Sequence, residues 1–201
     1  MIRVLIADGL RLTREALSVV LASEPGMHVV AQVPRGDEVV PQALRTRPTV
    51  ALLDADLPGL DGISAAKQLK AALPPCRIVI LTTPERAGAL RTALEVGVEG
   101  CMSKGVSVKE LTDSVRKVAR GERVLDPRLV THALHAPDNP LSDRDRELLR
   151  LAAHGHTPQE IAEVLHLSPG TVRNNLAAIN RKVAARNRIE AIRTASARGW
   201  I

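Results

Sequence analysis

The stretch TVALLDADLPGLDG, residues 49–62, sets the fold: an unbroken apolar and β-branched run leads into Asp54, and Pro and Gly punctuate the residues beyond it. A short run of this kind reads as a strand buried on both faces, as in a parallel sheet. Three other runs share its form, with RVLIA leading into Asp8, RIVIL into Thr82 and GCMS into Lys104. Helix-length segments separate them, so the strands are parallel, joined by crossover helices, and their carboxyl ends share one edge. Asp8, Asp54, Thr82 and Lys104 meet there. A carboxylate can attack a phosphoryl donor, a second can hold a divalent metal, and a hydroxyl and an ammonium can bind phosphoryl oxygens. Gly9 follows Asp8 at the point where a second acid would complete the metal site.

Extending the pattern outward predicts strands near 2–7, 28–33, 49–53, 77–82 and 98–102, with helices near 12–22, 37–46, 61–72, 85–96 and 107–120. Strict alternation of this kind makes an α/β doubly wound five-stranded parallel sheet. Gly121 closes the last helix, so the first domain is expected over 1–121. A short amphipathic piece with Leu129, Val130, Ala133 and Leu134 comes next, and then APDNP at 136–140 breaks the chain, giving a linker with a short helix over 122–139.

Residues 140–201 read as a small all-α domain with well-marked helix starts. Ser142 with Asp145, Thr157-Pro158-Gln159-Glu160 and Asn187 with Glu190 have the spacing of capping boxes, and Ser168-Pro169 opens a further helix. Only the turn around His166, Leu167 and Ser168 separates the second helix from the third, the length of a helix-turn-helix connection. The third helix carries Val172, Leu176, Ile179 and Val183 on one face and Thr171, Arg173, Asn174, Asn175, Arg181 and Lys182 elsewhere. Arg pairs with guanine and Asn with adenine in the major groove, while the helix start suits phosphate. A solvated wet face is the bland alternative.

Charge favours the nucleic-acid reading. The chain has 201 residues and a net charge of +6, and residues 169–201 hold seven basic residues against Glu190 alone, whereas the rest of the chain is balanced. Such a terminal basic segment suits double-stranded DNA. No stretch is long and apolar enough to span a membrane, and the chain starts with a strand rather than a signal peptide, so no membrane association and a cytoplasmic location are expected. Cys76 and Cys101 are too few and too far apart for a disulfide framework or zinc cluster. His132, His135, His154 and His156 lack an evident third ligand partner and read as surface or packing residues. With no Phe or Tyr, the core must come from Leu, Val, Ile and Ala.

Over nearly its full length the chain resembles bacterial two-component response regulators of the NarL/FixJ type, which join a CheY-like receiver to a LuxR-type helix-turn-helix. LLDADLPGLDG at 52–62, ILTT at 80–83 and GCMSKG at 100–105 are similar to the phosphoacceptor, switch-threonine and lysine segments, and the intervals of 46, 28 and 22 residues match. LSDRDRELLRLAAHG, TPQEIAEVLHLSPGTVRNNLAAINRKV and NRIEAIRTASARGW carry the second resemblance. The resemblance implies Asp54 as phosphoacceptor, Asp8 and Asp54 as Mg²⁺ ligands, Thr82 as the hydroxyl that reorients, and Lys104 as charge partner. It implies a non-enzymatic transcriptional regulator, dimerising on a promoter inverted repeat and served by a sensor histidine kinase. Gly9 in place of an acid predicts a weak Mg²⁺ site and no other cofactor. Cys101 stands where the family has an aromatic switch residue, Gly105 where many receivers have Pro, and Asp56 adds negative charge nearby. Two alternatives stay open: a pseudo-receiver sensing a small molecule or protein without phosphate, and, ranked last, an aspartate-based phosphatase suggested by Asp54-Ala55-Asp56.

Overall fold

The computed structural model describes residues 1–83, 88–135 and 139–201. Contacts divide the chain into two compact units, Met1–Leu134 and His135–Ile201.

The first unit runs β1 (Ile2–Ala7), α1 (Arg11–Ala22), β2 (Met27–Val33), a 3-10 turn (Gly36–Glu38), α2 (Val39–Thr46), β3 (Val50–Asp54), α3 (Gly62–Ala72), β4 (Arg77–Thr82), α4 (Gly88–Val96), β5 (Gly100–Ser103), α5 (Val108–Ala119), β6 (Val124–Leu125) and α6 (Pro127–His135). The expected helix start at 85 and residues 136–138 of the APDNP break lie outside the described residues. All paired strands are parallel, in the order β2-β1-β3-β4-β5-β6. The chain reverses direction across the sheet between β1 and β3, which opens a crevice at their carboxyl ends.

Strand side chains alternate between two aliphatic layers. Leu5, Ala51, Leu53, Ile78, Ile80 and Cys101 face the layer shared with α2, α3 and α4, and Val4, Ile6, Leu52, Val79, Leu81 and Met102 face the layer shared with α1 and α5. Burial on both faces is why these runs carry no polar residue until they reach the sheet edge.

The expected five-stranded sheet is corrected to six strands. Val124 and Leu125 pair with Gly100 and Cys101, and Leu129 and Ala133 of α6 enter the first core. Residues 122–134, read from sequence as linker, thus belong to the first unit. A two-residue strand is too short to give a periodic signal, and only its pairing reveals it.

The second unit contains α7 (Asp143–Ala153), α8 (Pro158–Leu165), α9 (Pro169–Lys182) and α10 (Arg188–Ala197) around its own core, which includes Leu148, Leu149, Ile161, Val172, Ile179, Ala191 and Trp200. Ser142/Asp145 and Thr157/Glu160 form reciprocal capping boxes. Asn187 caps α10 through the Glu190 N–H, but the Glu190 carboxylate turns to Arg186 instead of completing a box. His166 takes a left-handed conformation, φ 52°, and turns the chain from α8 into Ser168, which caps α9. At the two ends of this unit, Asn139 donates Nδ2–H to the Trp200 carbonyl at 3.2 Å and accepts from the Leu141 N–H at 3.0 Å.

A separate core predicts separate folding. A fragment of residues 139–201 should melt cooperatively, followed through Trp200 fluorescence, and Asn139→Ala should destabilise it by about 1 kcal/mol through loss of the end-to-end bond. A non-cooperative melt of the wild-type fragment would contradict this.

Candidate functional site

Strand register builds the first site. Ala7 pairs with Leu53, so Asp8 and Asp54 come next at the same level; Asp54 pairs with Leu81, which puts Thr82 one step beyond it. Thr82 pairs with Ser103, and the Lys104 N–H then donates to the Thr82 carbonyl at 2.7 Å. Four residues distant in sequence thus meet at one edge, as expected. Asp8, Asp54 and Thr82 are all buried.

Their hydrogen bonds are unequal. Asp54 Oδ2 is paired with Lys104 Nζ at 2.8 Å, and Asp54 Oδ1 accepts the Asp56 N–H at 3.0 Å. Asp8 Oδ1 accepts the Leu10 N–H at 2.7 Å. Asp8 Oδ2 and Thr82 Oγ1, both buried, have no hydrogen-bond partner among the described residues. Buried polar atoms without partners are uncommon in folded proteins and mark where a further group belongs. Burial pushes the Asp8 carboxyl above the usual carboxylate range, and the Asp54 charge adds to this against the Leu10 bond and the cations of Lys104 and Arg14.

The donor set fits a divalent cation. Mg²⁺ takes only one or two protein carboxylates and keeps several waters, and Asp8 Oδ2 and Asp54 supply the carboxylates. Among the described residues no cluster of three or more metal-ligating His, Cys, Asp or Glu side chains occurs. Gly9 is not in the left-handed region, and a Cβ built there would lie 3.0 Å from Pro58 Cδ, so a side chain there requires the proline ring to yield slightly. Gly62 is the stricter glycine: a Cβ would sit 1.9 Å from the Asp54 carbonyl oxygen, so only Gly lets α3 start against the Asp54 backbone.

Other residues shape the pocket without having been read from the sequence. Arg14 donates Nη1–H to the Asp8 carbonyl at 2.7 Å, and Asp61 caps α3 through the Ile63 and Ser64 N–H groups. The Asp61 cap could have been found from its place before a helix; Arg14 leaves no such signal. Cys101 is fully buried, and burial pushes its thiol up to about 12, so it packs as an apolar side chain. Asp56, by contrast, is exposed.

The second site lies on α9. Val172, Leu176 and Ile179 are buried, whereas Thr171, Arg173, Asn174 and Arg181 are exposed and Asn175 is half-buried. Thr171 Oγ1 lies 2.9 Å from Ser168 Oγ. Lys182 is ion-paired with Asp145 at 2.5 Å, so its charge is engaged within the unit.

Comparison with known proteins identifies the families of the two units. Residues 4–116 match the response regulator receiver domain, and residues 139–195 match the luxR family of bacterial regulatory proteins. The uncharacterised transcriptional regulatory protein YvfU of Bacillus subtilis (strain 168) is 37% identical over 201 residues, covering all of both chains. The transcriptional regulatory protein DesR of the same strain is 37% identical over 200 residues, covering 100% of this chain and 99% of DesR. The fold is also that of the response regulator RcsB in a DNA complex, with a TM-score of 0.64 at 23% identity over 98% of each chain.

The Asp8 carboxylate, with Oδ2 unpartnered, carries a pH signature. A carboxyl whose folded pKa is raised binds its proton more tightly in the native state, so the cost of ionising it is full above the folded pKa and disappears below the ordinary value of 3.8. In chelator, Asp8→Asn should therefore melt higher than wild type at pH 7, and the gap should close as pH falls through that window. A gap independent of pH would show that the charge of Asp8 is not the cause.

Proposed function

Because the chain belongs to the response regulators that join a receiver domain to a LuxR-type DNA-binding domain, we propose that the Asp54 pocket is a charge-biased switch controlling dimerisation and promoter binding. The protein is a DNA-binding transcriptional regulator. The observation that carries the switch reading is the pairing of buried Asp54 with Lys104 beside two unpartnered oxygens, Asp8 Oδ2 and Thr82 Oγ1.

In this reading an Asp54 carboxylate oxygen attacks the phosphorus of a phosphohistidine on a sensor kinase. The P–O bond forms as the P–N bond breaks, and the electron pair leaves with the imidazole. Asp8 and Asp54 would hold Mg²⁺, which neutralises charge on the transferring group. The product adds about −1.5 to −2 charges at neutral pH. Lys104 then transfers its contact from Asp54 to a phosphoryl oxygen, and the Thr82 hydroxyl donates to another. Rearrangement of this edge favours one packing of the receiver, a local charge change biasing a two-state element.

The output is DNA. Arg173 and Asn174 read base edges in the major groove, Asn175 supports them, and Thr171 and Arg181 contact phosphates. Lys182 contributes less, since Asp145 already holds its charge. A homodimer presents two such helices to an inverted repeat with half-sites about one helical turn apart. No helix among the described residues is long and apolar enough to cross a membrane, and the regulator works in the cytoplasm with its DNA.

Two experiments test these readings. Arg173→Ala should cost roughly 1–3 kcal/mol of specific affinity through loss of a bidentate base contact, measured against scrambled DNA at matched salt. Retention of the full preference would refute the assignment. Gly9→Asp should raise Mg²⁺ affinity and labelling by a small-molecule phosphoryl donor above the low level expected of wild type, with Asp54→Ala removing the label gained. Stoichiometric labelling of wild type in millimolar Mg²⁺ would overturn the claim that Gly9 weakens the site.

A further inference from the structure

Behind the pocket, one buried carboxylate ties the lysine segment to the last helix of the first unit. Ser103 ends β5 and directly precedes Lys104, but β6 stops at Leu125 and offers it no strand partner. Asp126, only 4% exposed, takes over with its side chain: Oδ2 accepts the buried Ser103 N–H at 3.1 Å. The Asp126 backbone N–H donates to the Cys101 carbonyl at 2.9 Å, continuing the ladder.

The same residue starts α6. Oδ1 accepts the Arg128 N–H at 2.9 Å and the Arg128 Nε–H at 2.9 Å, and the Asp126 carbonyl accepts the Val130 N–H at 3.2 Å. Arg128 also approaches Glu110, which completes the capping box of α5 with Ser107. Burial pushes the Asp126 carboxyl up, but its bonds from Arg128 and Ser103 outweigh that and hold it below the usual carboxylate range. It therefore stays charged, and a buried charge that loses a donor must find another or move.

We propose that Asp126 is a relay: displacement of Lys104 at the pocket weakens the Ser103–Asp126 bond and loosens the N-terminal anchorage of α6, the helix that leads into the second unit. The inference rests on the reading of the Asp54 pocket as a switch. Two features make this segment able to respond. β6 contributes only two residues to the sheet, and Lys104 is held on both sides, through Nζ to Asp54 and through its N–H to Thr82. A change at Lys104 is transmitted directly to Ser103, and from Ser103 to the one carboxylate that also caps α6.

The test is a double-mutant cycle on the full chain, read by amide hydrogen exchange. Lys104→Met, which removes the ion pair without phosphate or metal, should speed exchange across residues 128–135 about tenfold, the effect of losing roughly one buried hydrogen bond. In an Asp126→Asn background, where the charge but not the shape is lost, the same substitution should add little. Asp126→Ser, which can still cap α6 but is too short to reach the Ser103 N–H as well, provides a second background if Asp126→Asn lowers the melting temperature too far, and it should likewise blunt the response. Unchanged exchange at 128–135 in Lys104→Met, or an equal increase in every background, would overturn the relay. No arm uses a phosphoryl donor or DNA, so a receiver that never takes phosphate still tests the relay on its own terms.

Discussion

Two carboxylates buried at the end of an otherwise aliphatic sheet are the constraint around which the first unit is arranged. An ionised group taken out of water must be paired or hydrogen-bonded, and the energetic penalty for leaving it alone is several kcal/mol. Asp54 meets this requirement through Lys104 and the Asp56 N–H, and Asp8 meets it only in part, through the Leu10 N–H. The sheet could not place both acids here without bringing Lys104 to the same edge. The shared edge in turn depends on every strand being parallel and on the register that levels Asp8 with Asp54. Fold and pocket are thus one problem, since the crossover helices that make the sheet parallel also bury the acids that need Lys104.

The same physics decides which elements were legible in the sequence. Strands β1, β3, β4 and β5 stand out because burial on both faces favours an aliphatic run, and the site residues stand out because they are polar residues at the carboxyl ends of those runs. Helix starts in the second unit were legible because a cap is a local interaction, readable from Ser142 with Asp145 or Thr157 with Glu160. Arg14, Asp126 and β6 were not, because each depends on a backbone partner outside its own element. Arg14 reaches a backbone carbonyl, Asp126 a backbone N–H on β5, and Val124 and Leu125 exist as a strand only by pairing with Gly100 and Cys101. Backbone partners leave no side-chain pattern to read.

The two units handle charge in different ways. In the first, cations at the surface reach buried acids and neutralise them, as Lys104 does for Asp54 and Arg128 for Asp126. In the second, Arg173 and Arg181 remain exposed on α9 while Val172, Leu176 and Ile179 hold the opposite face in the core. The residues that fix α9 in its core are therefore not the ones proposed to meet DNA. Lys182 marks the border between the roles, lying at the end of α9 but engaged with the same Asp145 that caps α7.

Gly9 affects the balance between the acids and their counterions. With one carboxylate fewer at the crevice, a single cation, Lys104, can offset most of the Asp54 charge, and Asp8 is left as the group with unmet need. A second acid at position 9 would have increased the attraction for Mg²⁺ but also the repulsion to be overcome when no metal is bound, and it would have pressed on Pro58. The present arrangement therefore stabilises the resting pocket relative to the metal-loaded one. In the proposed switch, a phosphoryl group at Asp54 would have to draw Lys104 away from its existing partner, exchanging one ion pair for another rather than creating a new one. Exchange of that kind provides a modest free-energy difference, of the order of the 1–3 kcal/mol typical of allosteric coupling. That is enough to bias a helix anchored by a few hydrogen bonds, such as α6, and too little to disturb the doubly covered sheet beneath it.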